Sequence, residues 1–107
     1  MDTQQPCKIT ILEIEVNHVW IRGFSKPYTF EAKVYCTGSQ YGIDNGRISK
    51  FAVWIEARNR RWLAHYDRGW EVRPQEEHEA AVNRFIGLLE AMPEPEALVE
   101  NQVFELD

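Results

Sequence analysis

The stretch Phe51-Ala52-Val53-Trp54-Ile55-Glu56-Ala57-Arg58-Asn59-Arg60-Arg61-Trp62-Leu63-Ala64-His65-Tyr66 decides the fold. Phe51, Val53, Ile55 and Ala57 alternate with Ala52, Trp54, Glu56 and Arg58, the period-two pattern of a half-buried strand. Asn59-Arg60-Arg61 is a polar turn, and Trp62 to Tyr66 is the returning strand. A connection this short joins antiparallel neighbours, so the sheet begins as a meander.

The same pattern extends upstream. Phe30, Ala32, Val34 and Cys36 alternate with Glu31, Lys33 and Tyr35, and Gly38 to Gly46 reads as a loop. Gly23 and Pro27 bracket another. Ile9, Ile11, Ile14 and Val16 form an apolar run with a phase slip at Leu12. Val19–Ile21 follows a polar break at Asn17-His18, either a tight hairpin or a bulge. Downstream the period changes. Pro74 suits a first helical turn, and Glu76, Glu77 and Glu79 place negative charge at the positive end of the helix dipole. Ala81, Phe85, Leu88, Leu89 and Met92 make an apolar stripe, and Pro93 and Pro95 end it. Such a helix buries its stripe by packing across the sheet. The tail carries Leu98, Val99, Val103, Phe104 and Leu106, too many for a solvated segment. It is either a short edge strand or a piece that docks on a partner.

With 107 residues the chain fits one domain: a sheet over about 8–70, a helix over about 75–92 and an acidic segment over 93–107. The fold class is α+β. An antiparallel meander of four to five strands carries one amphipathic helix on one face, with an extra C-terminal strand as an option. The formal charge of −5 argues against direct nucleic-acid binding, which depends on neutralising phosphates. The charge is unevenly spread: residues 1–74 carry a net +3 and residues 75–107 a net −8. An acidic third of this kind is an interaction segment or docks on the basic body of its own fold. No apolar run approaches the roughly 18 residues of a membrane span, and the polar N-terminus is not a signal peptide, so a cytoplasmic location is expected. Two cysteines are too few for a disulfide scaffold and read as free thiols.

Two stretches hold the candidate binding residues. Tyr41-Gly42-Ile43-Asp44-Asn45-Gly46-Arg47-Ile48-Ser49-Lys50 is a loop entering a strand, with Asn45-Gly46 as a turn signal. It presents Tyr41, Asp44 and Arg47, the arginine suited to fork onto a carboxylate or phosphate and the tyrosine to stack. His65-Tyr66-Asp67-Arg68-Gly69-Trp70 ends a strand, with Gly69 the candidate for a left-handed backbone position. His65, Asp67, Arg68 and Trp70 join the candidate set, since the two stretches bracket one hairpin. His65 and Asp67, at i and i+2, are a potential general-base pair, with a plain structural hydrogen bond as the commoner alternative. Arg58, Arg60 and Arg61 make a small basic turn tip, too few charges to claim nucleic acid. Trp20, Trp54, Trp62 and Trp70 do not all fit one small core. Either one sheet face carries exposed aromatics, or arginine stems and the tail cover it.

Catalytic patterns are poor. His18, His65 and His78 have no HxxxH or HExxH spacing, so no metal site is expected, and neither a nucleophile elbow nor a phosphate-binding glycine loop appears. No catalytic residue and no cofactor are assigned.

YGIDNGRISK at 41–50 and YDRGWEVRP at 66–74 together resemble a family of small uncharacterised proteins of phages and prophages. The shared pattern is Tyr41 to Ile43, Gly46 to Lys50, and Tyr66 to Trp70 with Glu71 and Pro74. It covers roughly residues 20–75, with Phe51 in place of an aliphatic residue and Glu71 in place of Asp. The resemblance implies no activity; it implies a context in which small proteins act as inhibitors or adaptors on host machinery. The expected function is therefore non-enzymatic protein binding, to a host protein or to a second copy. The alternative is a small-ligand binder or minor enzyme for a phosphate- or carboxylate-bearing molecule, using Arg47, His65, Asp67 and Arg68.

Overall fold

A computed structural model describes residues 5–56, 59 and 61–106. It holds one helix and an open antiparallel sheet of seven strands. These are β1 (Cys7–Ile14), β2 (His18–Ser25), β3 (Tyr28–Tyr35), β4 (Ile48–Trp54), β5 (Trp62–Asp67), β6 (Trp70–Val72) and β7 (Val103–Leu106), with α1 (Glu76–Glu90) between β6 and β7. The strand order is β6-β5-β4-β3-β2-β1-β7. The α+β class holds, but the sheet is larger than the four to five strands expected. The three-residue β6 carries too few residues to show a period, and β7 pairs antiparallel with β1 through Cys7–Leu106 to Thr10–Val103. The tail is an edge strand.

Alternation in the strands sends one set of side chains to a core under α1. Ile9, Ile11, Val19, Ile21, Phe30, Ala32, Val34, Phe51 and Val53 are buried there with Val82, Phe85 and Leu89 of the helix. Phe85 stacks on Phe30, ring centroids 4.4 Å apart. The helix buries Val82 in addition to the expected stripe, while Leu88 is only partly buried. Beyond α1 the chain crosses the same side of the sheet, burying Leu98 and packing Phe104 and Leu106 against the core.

Three local readings change. The phase slip at Leu12 is a β-bulge between Ile11 and Glu13. The loop expected between Gly23 and Pro27 shrinks to the turn Lys26-Pro27: Gly23 lies inside β2 opposite Phe30, whose ring fills the place of its missing side chain. The strand expected to reach Arg58 ends at Trp54. Ala57, Arg58 and Arg60, and with them most of the basic turn tip, lie outside the described residues.

Nothing in the described chain covers the second face. Cross-strand register lays its residues in rows: Trp20–Lys33–Lys50–Asp67, and Arg22–Glu31–Ala52–His65. Trp54 and Trp62 face each other in the next row, and Trp70 packs at the rim of the core. Trp20 and Trp62 thus lie accessible on the second face, Trp62 53% exposed, whereas Trp54 beside it is only 8% exposed.

Candidate functional site

The loop between β3 and β4 is closed by its own backbone. Gly42 N–H donates to Ser39 O at 3.0 Å, Asn45 N–H to Gly42 O at 3.0 Å, and Gly46 N–H to Ile43 O at 2.8 Å. Gly42 is required here, since a Cβ would stand 1.8 Å from Gly46 O. Asp44 and Asn45, not Gly46, take positive φ values of 52° and 61°. Ile43 plugs into the core, which turns Tyr41 outward and leaves it 54% exposed. The Tyr66 hydroxyl reaches up from β5 to donate to Tyr41 O at 2.9 Å, so the two sequence stretches do meet. Burial, aided by the Asp44 carboxylate, pushes the Tyr66 phenol above its ordinary value of 10.

Arg47 turns its guanidinium onto main-chain carbonyls. Its guanidinium donates to Tyr35 O at 2.7 Å, Glu90 O at 2.9 Å and Met92 O at 2.6 Å, closing the C-terminus of α1. The carbonyls of Glu90 and Met92 lie at the helix end and lack helical donors, and a cation there also satisfies the helix dipole. The fork expected to meet a carboxylate or phosphate is occupied by main-chain oxygens.

His65 lies on the uncovered face but is not paired with Asp67. Its Nδ1 donates to Glu71 at 3.0 Å and its ring stacks on Trp62, centroids 3.8 Å apart and planes 4° from parallel. Asp67 instead holds Arg68, with Oδ1 to Nε at 3.4 Å. The left-handed position expected of Gly69 belongs to Arg68, with φ 58°, and no glycine among the described residues has positive φ. Trp70 makes an edge contact with Tyr66 at 5.2 Å and carries Arg73 over its ring. Asp44 is exposed at the loop tip. Arg47, His65, Asp67 and Arg68 therefore do not assemble into one site; Tyr41 and Arg68 do share one.

That shared site is a cleft of about 470 Å³ on the uncovered face. Lys33 and Tyr35 enter it from β3, Ser49 and Lys50 from β4, and Arg68 from the β5–β6 turn. The loop adds Tyr41 with the hydroxyls of Thr37 and Ser39. Ser49 and Lys50 reach one cleft, though consecutive, because the β3–β4 register shifts between Lys33 and Val34 and a bulge falls there. Lys33 and Lys50 are direct cross-strand partners. Among the described residues neither makes an ion pair; Lys33 lies over the rings of Trp20 at 5.8 Å and Tyr35 at 5.1 Å. His18, the cross-strand partner of Tyr35, also contacts that ring, centroids 5.1 Å apart. Burial first and the Lys33 charge second hold the His18 imidazole below its ordinary 6.5. Of the cleft, the sequence reading singled out only Tyr41 and Arg68 as binding residues. The period-two alternation that placed Lys33 and Tyr35 on the polar side of β3 was the available signal for the rest.

Among the described residues no group of three or more His, Cys, Asp or Glu is placed to hold a metal ion, and no helix is long and apolar enough to cross a membrane. Cys7 and Cys36 are free thiols.

Residues 19–90 match the family model described as Domain of unknown function (DUF7678), and the chain belongs to that family. No curated protein and no solved structure gives a significant match.

Proposed function

We propose that this DUF7678 member is a non-enzymatic protein-binding module, phage- or prophage-encoded, that acts in the cytoplasm as an inhibitor or adaptor on a host protein. The uncovered sheet face carries this reading. A seven-stranded sheet with its helix on one side leaves Trp20, Trp62, Tyr41, Arg22, Lys33 and Lys50 together on the other. Tryptophan, tyrosine and arginine are the side chains that dominate binding energy at protein interfaces. The facing lysines choose the partner's chemistry: a protein surface bearing carboxylates, which relieves the Lys33–Lys50 repulsion on docking. The acidic exterior of α1, with Glu76, Glu77 and Glu79 exposed, faces away from that contact. The candidate contacts narrow accordingly from the whole Tyr41–Arg47 loop, the Asp67–Trp70 corner and the acidic C-terminal segment, whose end pairs with β1, to Tyr41 and Arg68 with the sheet around them.

The test is photo-crosslinking in bacterial cells from a benzoyl-phenylalanine placed at Tyr41 or Trp62, with Asn83 on the outer side of α1 as the control position. One host protein crosslinked from both sheet positions, not from Asn83, and lost on Lys33→Glu and in high salt, is the expected result. Adducts from Asn83 alone, or none from the sheet face, overturn the reading.

A further inference from the structure

The cleft between β3, β4 and the Tyr41 loop is more specific than a contact surface needs to be. Two lysines facing each other across an antiparallel pair repel, whereas opposite charges at such positions stabilise the sheet. Here the sheet keeps the repulsion and adds a third cation. Arg68 takes a left-handed backbone conformation next to a glycine that does not, so an arginine stands where glycine would be free of strain. Its N–H is tied to Ser49 O at 2.9 Å, which anchors the turn to the bulge. Three cations thus converge from three separate segments.

The rest of the lining is equally selective. The eight residues around the cleft include no carboxylate; Asp67, the cross-strand neighbour of Lys50, lies just outside and is ion-paired with Arg68. Ser49, only 7% exposed, offers a hydroxyl at the floor, with Thr37 and Ser39 above it. Hydroxyls and cations are the donors that bind phosphate oxygens. Tyr35 is already engaged by His18 and Lys33, whereas Tyr41 presents its ring at the mouth. A volume of about 470 Å³ falls within the range of small-molecule sites.

We infer that this cleft binds a mononucleotide-sized phosphate ester, its phosphate between Lys33, Lys50 and Arg68 and its planar ring on Tyr41. The inference rests on the uncovered face being the working surface, but needs no protein partner. The chain's acidity speaks against a long polyanion and leaves a single phosphate group free to bind. Tyr41 contributes as a stacking platform, which tolerates different bases because each has a π-face.

The experiment is titration calorimetry of the purified chain with AMP, CMP, ribose 5-phosphate and inorganic phosphate. AMP and CMP are expected to bind, with ribose 5-phosphate about tenfold weaker for want of a ring. Lys33→Gln and Lys50→Gln each weaken AMP by about tenfold or more while leaving the melting temperature unchanged or raised, since they remove the repulsion. Tyr41→Ala brings AMP down to the level of ribose 5-phosphate. Lys26→Gln, on the distant β2–β3 hairpin, changes nothing. No AMP or CMP binding to the folded parent at millimolar concentration overturns the inference, as does binding insensitive to both lysine variants. Inorganic phosphate binding as tightly as AMP, with Tyr41→Ala silent, overturns it too. Purified protein and small probes keep this test independent of the crosslinking: either can fail while the other succeeds.

Discussion

Arg47 and Glu90 hold each other at both ends: the Glu90 carboxylate accepts the Arg47 backbone N–H at 2.9 and 3.0 Å, while the Arg47 guanidinium donates to the Glu90 main-chain carbonyl at 2.9 Å. The start of β4 and the end of α1 are thereby clamped. Glu90 also fills the space beside Gly46, where a Cβ would lie 2.3 Å from its carboxylate oxygen.

The two arginines of the sequence motifs should part company when removed. Arg47→Ala leaves four main-chain carbonyls, those of Tyr35, Glu90, Met92 and Pro93, without their donor and costs about 2–4 kcal/mol. That lowers the melting temperature by about 10 °C or more in a domain of this size. Arg68→Ala removes a side chain that is 68% exposed and changes stability little. Thermal melts of both variants beside the parent check this, with equal losses as the result against it.

Gly23→Ala should be among the most damaging small substitutions. The added methyl meets three Phe30 ring atoms at 2.0–2.4 Å, and that ring is fully buried between Phe51 and Phe85. Overpacking at such a place costs about 1–3 kcal/mol. Urea unfolding should show a lower midpoint with an unchanged slope.

Stability should fall at both ends of the pH scale for separate reasons. His18 has a folded value below its unfolded one, so its contribution is intact above about pH 6.5 and is lost as pH falls through the lowered value. His18→Gln flattens that acid limb. Tyr66 has a raised folded value, so its contribution is intact below pH 10 and is lost as pH rises through the raised one. Tyr66→Phe flattens the alkaline limb while costing about 1 kcal/mol for the bond to Tyr41 O. Denaturant midpoints measured from pH 5 to 11 read both.

Much of the fold was legible because it depends on local pattern. Alternation identified β3 and β4, the short polar turn after them pointed to β5 as the returning strand, the slip at Leu12 fell at a bulge, and proline and glutamate bounded the helix. Gly23 misled because glycine signals a turn only when no neighbouring ring fills its place, and Phe30 lies on another strand. Arg47 misled for a different reason. Its partners lie 12 to 46 residues away and are mostly main-chain oxygens, which leave no trace in residue type. The Lys33–Lys50 pairing required the β3–β4 register, and that register contains a shift no periodicity reveals. Tyr41 and Arg68 were legible as candidates; the site that unites them was not.

The order of the strands also carries a timetable. From β1 to β6 each strand pairs with its sequence neighbour, so those contacts close short loops. β7 alone reaches back across nearly the whole chain, joining Leu106 to Cys7. Loop closure over that span comes late in folding, and β7 is also four residues long and hydrogen-bonded along one side only. The last seam sewn is the first to open, so the β1 edge is where this sheet breathes and where a stray strand would add.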